Sequence, residues 1–214
     1  MLERYNPILD AIKNLCPTAH MGGGAVRDTL LARPIRDIDL FLDVTYTDAA
    51  AKLLRSEFGF VQTFERKSYK MSSDPAVVRV ATFEKADETI PICLIGLKQT
   101  RGMQDNLARF DFGLCMAGFD GDKVYTAPEY KRDVEQKTFT LYCADDQPQF
   151  NCSMWRFDKI TADRYAGWRL VVPEAYRELA REYTFKKVSC YNTETNGWMF
   201  REVVGQPLLT PKAR

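Results

Sequence analysis

The stretch His20–Asp43, HMGGGAVRDTLLARPIRDIDLFLD, decides the fold. Its three glycines, Gly22, Gly23 and Gly24, follow a short predicted strand over Thr18–Met21 and precede a predicted helix over Ala25–Leu31. Glycines at such a corner let the chain turn sharply, and they let a phosphate reach backbone amides that no Cβ shields. The helix behind them points its positive N-terminal end at the same place. After the loop Ala32-Arg33-Pro34 comes a predicted strand over Ile38–Leu42, with Asp37 and Asp43 at its ends. Asp37 and Asp39 are two residues apart, so on a strand both carboxylates project from one face. Two such groups repel unless a cation lies between them, and Mg²⁺ is held in this way by one or two carboxylates plus substrate phosphates. Taken singly, the glycine run reads as a flexible loop and the acid pair as an alternating surface strand. In this order and at this spacing they supply what metal-assisted transfer of a nucleotidyl group requires. The stretch has no Lys-Ser/Thr after its glycines, which excludes a P-loop.

Working outward, Asn6–Leu15 has apolar residues at helical spacing (Ile8, Leu9, Ile12, Leu15), with Asn6 as the expected N-cap and Pro7 in the first turn. A second helix is expected through AAAKLLRSEF, capped by Thr47 or Asp48. Beyond Gly59 the texture turns to strands, predicted over Phe60–Glu65, Ala76–Phe83, Thr89–Ile95 and Phe110–Ala117. Asp120-Gly121-Asp122 is a hairpin signal, and Thr138–Cys143 reads as a further short strand. Helical patterns return over Ser153–Tyr165 and Pro173–Phe185, and Pro207 and Pro211 mark a loose tail. The expected fold class is therefore α/β (α+β): a mixed sheet flanked by helices in residues 1–145, then a small helical region in 146–214.

The chain has 214 residues, 45% hydrophobic and 28% charged, with a net charge of +1. Such a chain buries a core without a disulfide or metal staple, and it carries no global basic field for nucleic acid. Six cysteines without a CxxC pair, and His20 as the one histidine, argue against a classical zinc cluster. Cys93 and Cys115 read as small buried hydrophobes. No segment is long and apolar enough for a membrane span, so a cytoplasmic setting is expected, the host's cytoplasm if the gene is viral. Trp155, Trp168 and Trp198 are expected in core packing, with base stacking as the alternative.

GGGAVRDTLLARPIRDIDLFLD resembles the head-domain signature of CCA-adding enzymes and bacterial poly(A) polymerases, members of the DNA polymerase beta superfamily. That signature has a Gly-Gly pair, a hydrophobic-Arg-Asp opening a helix, and Asp-x-Asp. The resemblance implies a polymerase-beta-like nucleotidyltransferase domain. Gly22, Gly23 and Gly24 would form the nucleotide-phosphate loop, Arg27 and Asp28 the pair that opens the helix, and Asp37 and Asp39 the metal ligands. Further on, Ala108–Leu114 resembles a degraded form of the family's Arg-Arg-Asp-Phe-Thr-hydrophobic-Asn segment, which would bring Arg109 and Asp111 to the nucleotide or primer end; the alternative is a short strand with an outward Asp. Arg156 and Lys159 share a helix face that can meet a triphosphate or an RNA backbone, or stay a solvated basic face; Arg164 follows them.

Two departures from the family stand out. The superfamily supplies a third carboxylate from a later strand, but Thr89–Ile95 contains no acid. Asp111, or else Glu88, is expected to substitute. Pro91 in that strand implies an edge position or an irregularity. Only a short region follows the front domain, against the long RNA-reading regions of CCA-adding enzymes. This compact size is similar to that of nucleotidyltransferase-like proteins of phages and large viruses. The expected activity is Mg²⁺- or Mn²⁺-dependent transfer of a nucleoside monophosphate from an NTP (ATP among them) to a hydroxyl. The acceptor is a tRNA-like RNA 3′ end, a protein or a small molecule. The alternative is a decayed nucleotide- or RNA-binding regulator of the same fold.

Overall fold

The computed structural model describes residues 2–67, 74–162, 164–181, 188–192 and 197–201. Helix α1 (Asn6–Leu15) buries Ile8, Leu9 and Ile12, the stripe its periodicity predicts. Asn6 does not cap it. Tyr5 holds the cap position, and Asn6 Nδ2 instead donates to the carbonyl of Gly121 at 2.8 Å, tying the helix to a distant turn. Then come β1 (His20–Gly22), α2 (Gly24–Leu30), β2 (Ile38–Asp43) and α3 (Thr47–Ser56). Strands β3 (Val61–Lys67), β4 (Val77–Lys85) and β5 (Glu88–Leu97) follow, then α4 (Met103–Leu107), β6 (Ala117–Phe119) and β7 (Val124–Thr126). The later elements are α5 (Pro128–Gln136), β8 (Thr138–Thr140), α6 (Gln147–Thr161), β9 (Arg169–Val171) and α7 (Arg177–Arg181). Strands β10 (Val188–Asn192) and β11 (Gly197–Arg201) pair antiparallel.

Seven strands form one mixed sheet in the order β3-β4-β5-β2-β1-β6-β7. Only β2 and β5 run parallel in it; the other neighbours are antiparallel. The two faces follow from period-two alternation. Ile38, Leu40 and Leu42 of β2 and Ile92 and Leu94 of β5 point into the main core, which also takes in Leu9, Ile12, Ala50 and Leu54 of α1 and α3. The intervening residues Asp39, Phe41, Cys93 and Ile95 face the other way, into an open cavity. β5 is an interior strand, and Pro91 is accommodated by a register shift between the pairs Phe83↔Ile92 and Lys85↔Glu88.

Phe110–Ala117, predicted as a strand, is mostly not one. Phe112 makes a single bridge to Leu141, and Gly113–Cys115 form a tight turn before β6. There the buried carboxylate of Asp133, and not a neighbouring strand, accepts from the Leu114 backbone amide at 2.8 Å. The hairpin at Asp120–Asp122 is as expected: Gly121 has φ +103, and Asp120 Oδ1 accepts from the amides of Asp122 and Lys123.

Helix α6 begins six residues before its predicted start, because Asp146 Oδ1 caps it by accepting from the Gln149 amide at 2.9 Å. β8 and β9, on either side of α6, pair in parallel. Phe139 of β8 lies at the centre of an aromatic cluster, with ring centroids 5.5 Å from Phe157, 5.4 Å from Tyr165 and 5.9 Å from Trp168. That cluster fastens α6 to the rest of the core. Of the helix predicted over Pro173–Phe185, α7 and a preceding turn are observed; residues 182–185, Trp198's side chain, Pro207 and Pro211 lie outside what is described.

Candidate active site

The glycine turn between β1 and α2 opens the cavity. Gly23 has φ +70, a conformation L side chains rarely adopt, and a Cβ on Gly22 would lie 3.2 Å from the Phe41 ring and 3.3 Å from Phe110. These two glycines serve the turn itself. Gly24 differs: a Cβ there would meet nothing closer than Arg27 Nη2 at 3.7 Å and Asp37 Oδ1 at 4.0 Å. Its bare face lies between a cation and an anion that both line the cavity.

The cavity, about 370 Å³ in volume, brings Gly23, Gly24 and Arg27 together with Asp37 and Asp39. Asp74, Asn106, Arg109, Asp111, Arg156, Lys159 and Arg164 supply the rest of its polar lining, with the rings of Phe110 and Trp155 among them. Gly22 and Asp28 do not line it. Asp28, 1% exposed, lies behind: it accepts from Arg27 Nε at 2.7 Å and from the Tyr165 hydroxyl at 2.6 Å, and it pairs with Arg164. One buried carboxylate thus fixes two arginines of the wall. Arg27, also 1% exposed, donates further to Tyr165 Oη at 2.9 Å and to Cys115 Sγ at 3.4 Å. Burial opposes its charge, but Cys115, Asp28 and Tyr165 more than offset that and hold its pKa above the usual guanidinium value.

Asp37 is exposed and Asp39 half-buried. Burial first, and the adjacent Asp37 second, push the Asp39 carboxyl above the usual carboxylate range, while Arg156, Arg27 and Lys159 pull it down. The third side chain grouped with this pair is Cys93: ligand atoms of Asp37, Asp39 and Cys93 all lie within 4.8 Å of one another. β2 and β5 place it there, since Asp39 and Cys93 are register partners in the parallel pair. Burial and then the two carboxylates push its thiol up, and Thr82 Oγ1 lies 3.6 Å from its sulfur.

Asp111 and Glu88 have other partners. Asp111, 1% exposed, pairs with Arg156 at 2.5 Å and accepts from the Phe112 amide at 3.1 Å. Glu88 pairs with Arg4 at 2.5 Å. Arg109 reaches Asp145 at 2.7 Å, and the Lys159 ammonium lies 5.4 Å from the centre of the Trp155 ring. Trp155, expected in the core, lines the cavity, whereas Trp168 packs against the core. His20 is buried, its ring bonded to the Thr18 carbonyl and the Asn106 amide, and burial lowers its pKa. It serves the scaffold.

The sheet, its flanking helices and the acid-bearing strand define a nucleotidyltransferase-like α+β fold. Solved structures similar to it include the Thermotoga maritima CCA-adding enzyme complexed with tRNA, with a TM-score of 0.57 and 16% identity over 83% of this chain and 41% of that one. The Bacillus stearothermophilus CCA-adding enzyme in complex with CTP gives 0.52 at 15% identity, over 85% and 43%. A tRNA nucleotidyltransferase complexed with a primer tRNA and an incoming ATP analog gives 0.51 at 15%, over 80% and 48%. The chain therefore spans less than half the length of each, and at these identities the likeness is one of fold. No curated protein sequence matches the chain. The chain belongs to the Gabija anti-defense 2 family, whose model matches residues 5–137. No helix among the described residues is long and apolar enough to cross a membrane.

Proposed function

We propose that this chain is a metal-dependent nucleotidyltransferase that moves a nucleoside monophosphate from an NTP to an acceptor hydroxyl and releases pyrophosphate. The observation that carries the reading is the meeting of Asp37 and Asp39 with the Gly23–Gly24 turn and a cationic wall in one cavity. The two carboxylates, with the Cys93 sulfur beside them, have the donor chemistry and spacing to hold a divalent ion. When bound, such an ion neutralises phosphate charge and polarises the reacting phosphoryl group.

The chain's own residues divide the remaining work. Gly24 leaves room for phosphate oxygens between Arg27 and Asp37. Arg27 offers a fixed charge, positioned by Asp28 and Tyr165 so that little side-chain freedom is lost when an anion arrives. Arg109, Arg156 and Lys159 face the remaining anionic groups, and Trp155 offers a ring on which a base can stack. In the transfer, the bond from the α-phosphorus to pyrophosphate breaks, a bond to the acceptor oxygen forms, and the acceptor's proton leaves. We take residues 1–145 as the catalytic unit, with α6 of the following region closing its cavity. By analogy with the structures of like fold the acceptor is an RNA 3′ end; the family's name favours an acceptor within the Gabija defence.

Purified protein incubated with each labelled NTP, Mg²⁺ or Mn²⁺, and total RNA or host protein tests the reading. Label incorporated by the wild type and lost in Asp37→Ala/Asp39→Ala supports it and identifies the acceptor class. A second reading, a binder without catalysis, is favoured by one observation: the third group beside the aspartates is a thiol and not an acid. NTP that raises the melting temperature equally with and without divalent ion would select it.

The glycines give a separable prediction. Gly23→Ala forces a strained backbone and a 3.2 Å contact with Phe110, and should lower stability by about 2 kcal/mol in urea unfolding. Gly24→Ala should unfold as the wild type does, yet lose most of the thermal stabilisation given by NTP with metal. An unchanged NTP response in Gly24→Ala would remove Gly24 from the phosphate site.

A further inference from the structure

Cys93 occupies a position that its neighbours make chemically specific. It lies opposite Asp39 in the β2–β5 register, so both side chains leave the same face of the sheet. Its sulfur and the oxygens of Asp37 and Asp39 lie within 4.8 Å of one another, and all three residues border the cavity. Donors about 2.0–2.3 Å from a common ion are at most about 4.6 Å apart, so bridging one ion asks only small side-chain adjustments.

Competing roles and competing donors are few. Cys115, the other thiol on the cavity, touches Arg27, which excludes a cation there. The His20 ring is engaged by Thr18 and Asn106, and Asp111 by Arg156. The acid nearest Cys93 along β5, Glu88, is held by Arg4. Asp74, a further acid lining the cavity, is held by Arg101 at 2.5 Å. Among the described residues, the donor grouped with the two carboxylates is then the Cys93 sulfur.

Resting on the nucleotidyltransferase reading above, we propose that the Cys93 thiolate is the third protein ligand of the ion held by Asp37 and Asp39, and that the centre therefore selects a borderline, thiophilic divalent ion such as Zn²⁺ over Mg²⁺. Two oxygens and one sulfur leave a fourth position open toward the cavity, the ligand count of a catalytic zinc site. Sulfur ligands discriminate against hard Mg²⁺, which an all-oxygen set favours. On binding, the S–H bond is replaced by a sulfur–metal bond and the proton passes to water. No change of oxidation state is involved.

The test is spectroscopic and needs no acceptor. Co²⁺, a stand-in for Zn²⁺, is titrated into the full chain while the near-ultraviolet sulfur-to-metal absorption band is read, and Zn²⁺ and Mg²⁺ affinities are measured by calorimetry. Four proteins are compared: wild type, Cys93→Ser, Cys93→Asp and Asp37→Ala/Asp39→Ala. The band should appear in the wild type and vanish in both Cys93 variants. Zn²⁺ affinity should fall at least about 10- to 100-fold in Cys93→Ser, and Cys93→Asp should bind Mg²⁺ more tightly than the wild type does. Should the serine variant fail to fold, the aspartate variant carries the same contrast.

A band that persists in the Cys93 variants would assign it to another cysteine and overturn the proposal. Metal binding that depends on the aspartates but is indifferent to Cys93 would also overturn it, while leaving the nucleotidyltransferase reading intact. Metal binding that is indifferent to the aspartates as well would overturn both.

Discussion

Asp39→Asn is expected to make the metal-free protein more stable while abolishing its activity. Asp39 lies half-buried beside Asp37, and burial followed by that like charge raises its pKa in the folded chain. A raised folded pKa means that the fold holds the proton more tightly than the unfolded chain does. The corresponding stability is fully present below the unfolded carboxylate value and is lost as pH rises through the folded one. Ionising Asp39 in the folded chain is therefore a cost to the fold. Asparagine keeps the shape and removes the charge, so unfolding in the presence of a chelator should show a gain on the order of 1 kcal/mol, and less dependence on pH than the wild type. Transfer of labelled nucleotide should fall at least about a thousandfold, the equivalent of several kcal/mol of transition-state stabilisation. A variant that is less stable without metal would show that Asp39 serves the scaffold; one that retains activity would dismiss it as a ligand.

Asp133→Ala should be strongly destabilising. Its carboxylate is fully buried and accepts four hydrogen bonds: from the amides of Leu114 and Thr140 at 2.8 and 3.0 Å, and from the hydroxyls of Thr138 and Thr140 at 2.9 and 2.6 Å. Alanine would take this partner from the buried Leu114 amide and Thr138 hydroxyl and from the half-buried Thr140 amide and hydroxyl, and each loss at a buried group costs about 1–3 kcal/mol. After partial relaxation the loss should be on the order of 4 kcal/mol, read from the midpoint of urea unfolding at unchanged slope. The bonds span α5, β8 and the turn that leads from Asp111 to Cys115, so the damage reaches the cavity wall. Asp133→Asn, which keeps one acceptor, should lose about half as much. Equal stability of the alanine variant would mean that the turn finds other partners.

Much of the scaffold around the acids is legible in the chain. Alternation in Ile38–Asp43 forecasts the strand and its two faces, and the glycines forecast the turn, because both are local properties of backbone and side-chain chemistry. Neither Cys93's place beside Asp39 nor Asp28's hold on Arg164 and Tyr165 is local. The first depends on which strand pairs with β2 and in what register, the second on a contact between residues far apart in sequence. Cys93 in an apolar strand reads as one more small hydrophobe. The misread segment from Phe110 to Ala117 has the same origin: an apolar run looks alike whether a ladder or the side chain of Asp133 takes its amides. Helix α5 escapes notice because it buries only Tyr130 and Asp133 among many charges. Helix α4 has five residues, too few for a period to show.

Helix α6 is carried between two parallel strands, β8 and β9, and is fastened from below by Phe157 in the aromatic cluster. Its opposite side gives Trp155, Arg156 and Lys159 to the cavity. Substitutions at these three positions leave every strand register alone, yet they retune the acids, because Arg156 and Lys159 act on the Asp39 carboxyl and Arg156 pairs with the buried Asp111. The sheet thus sets where the acids stand, and the crossover helix is the adjustable jaw that sets what meets them.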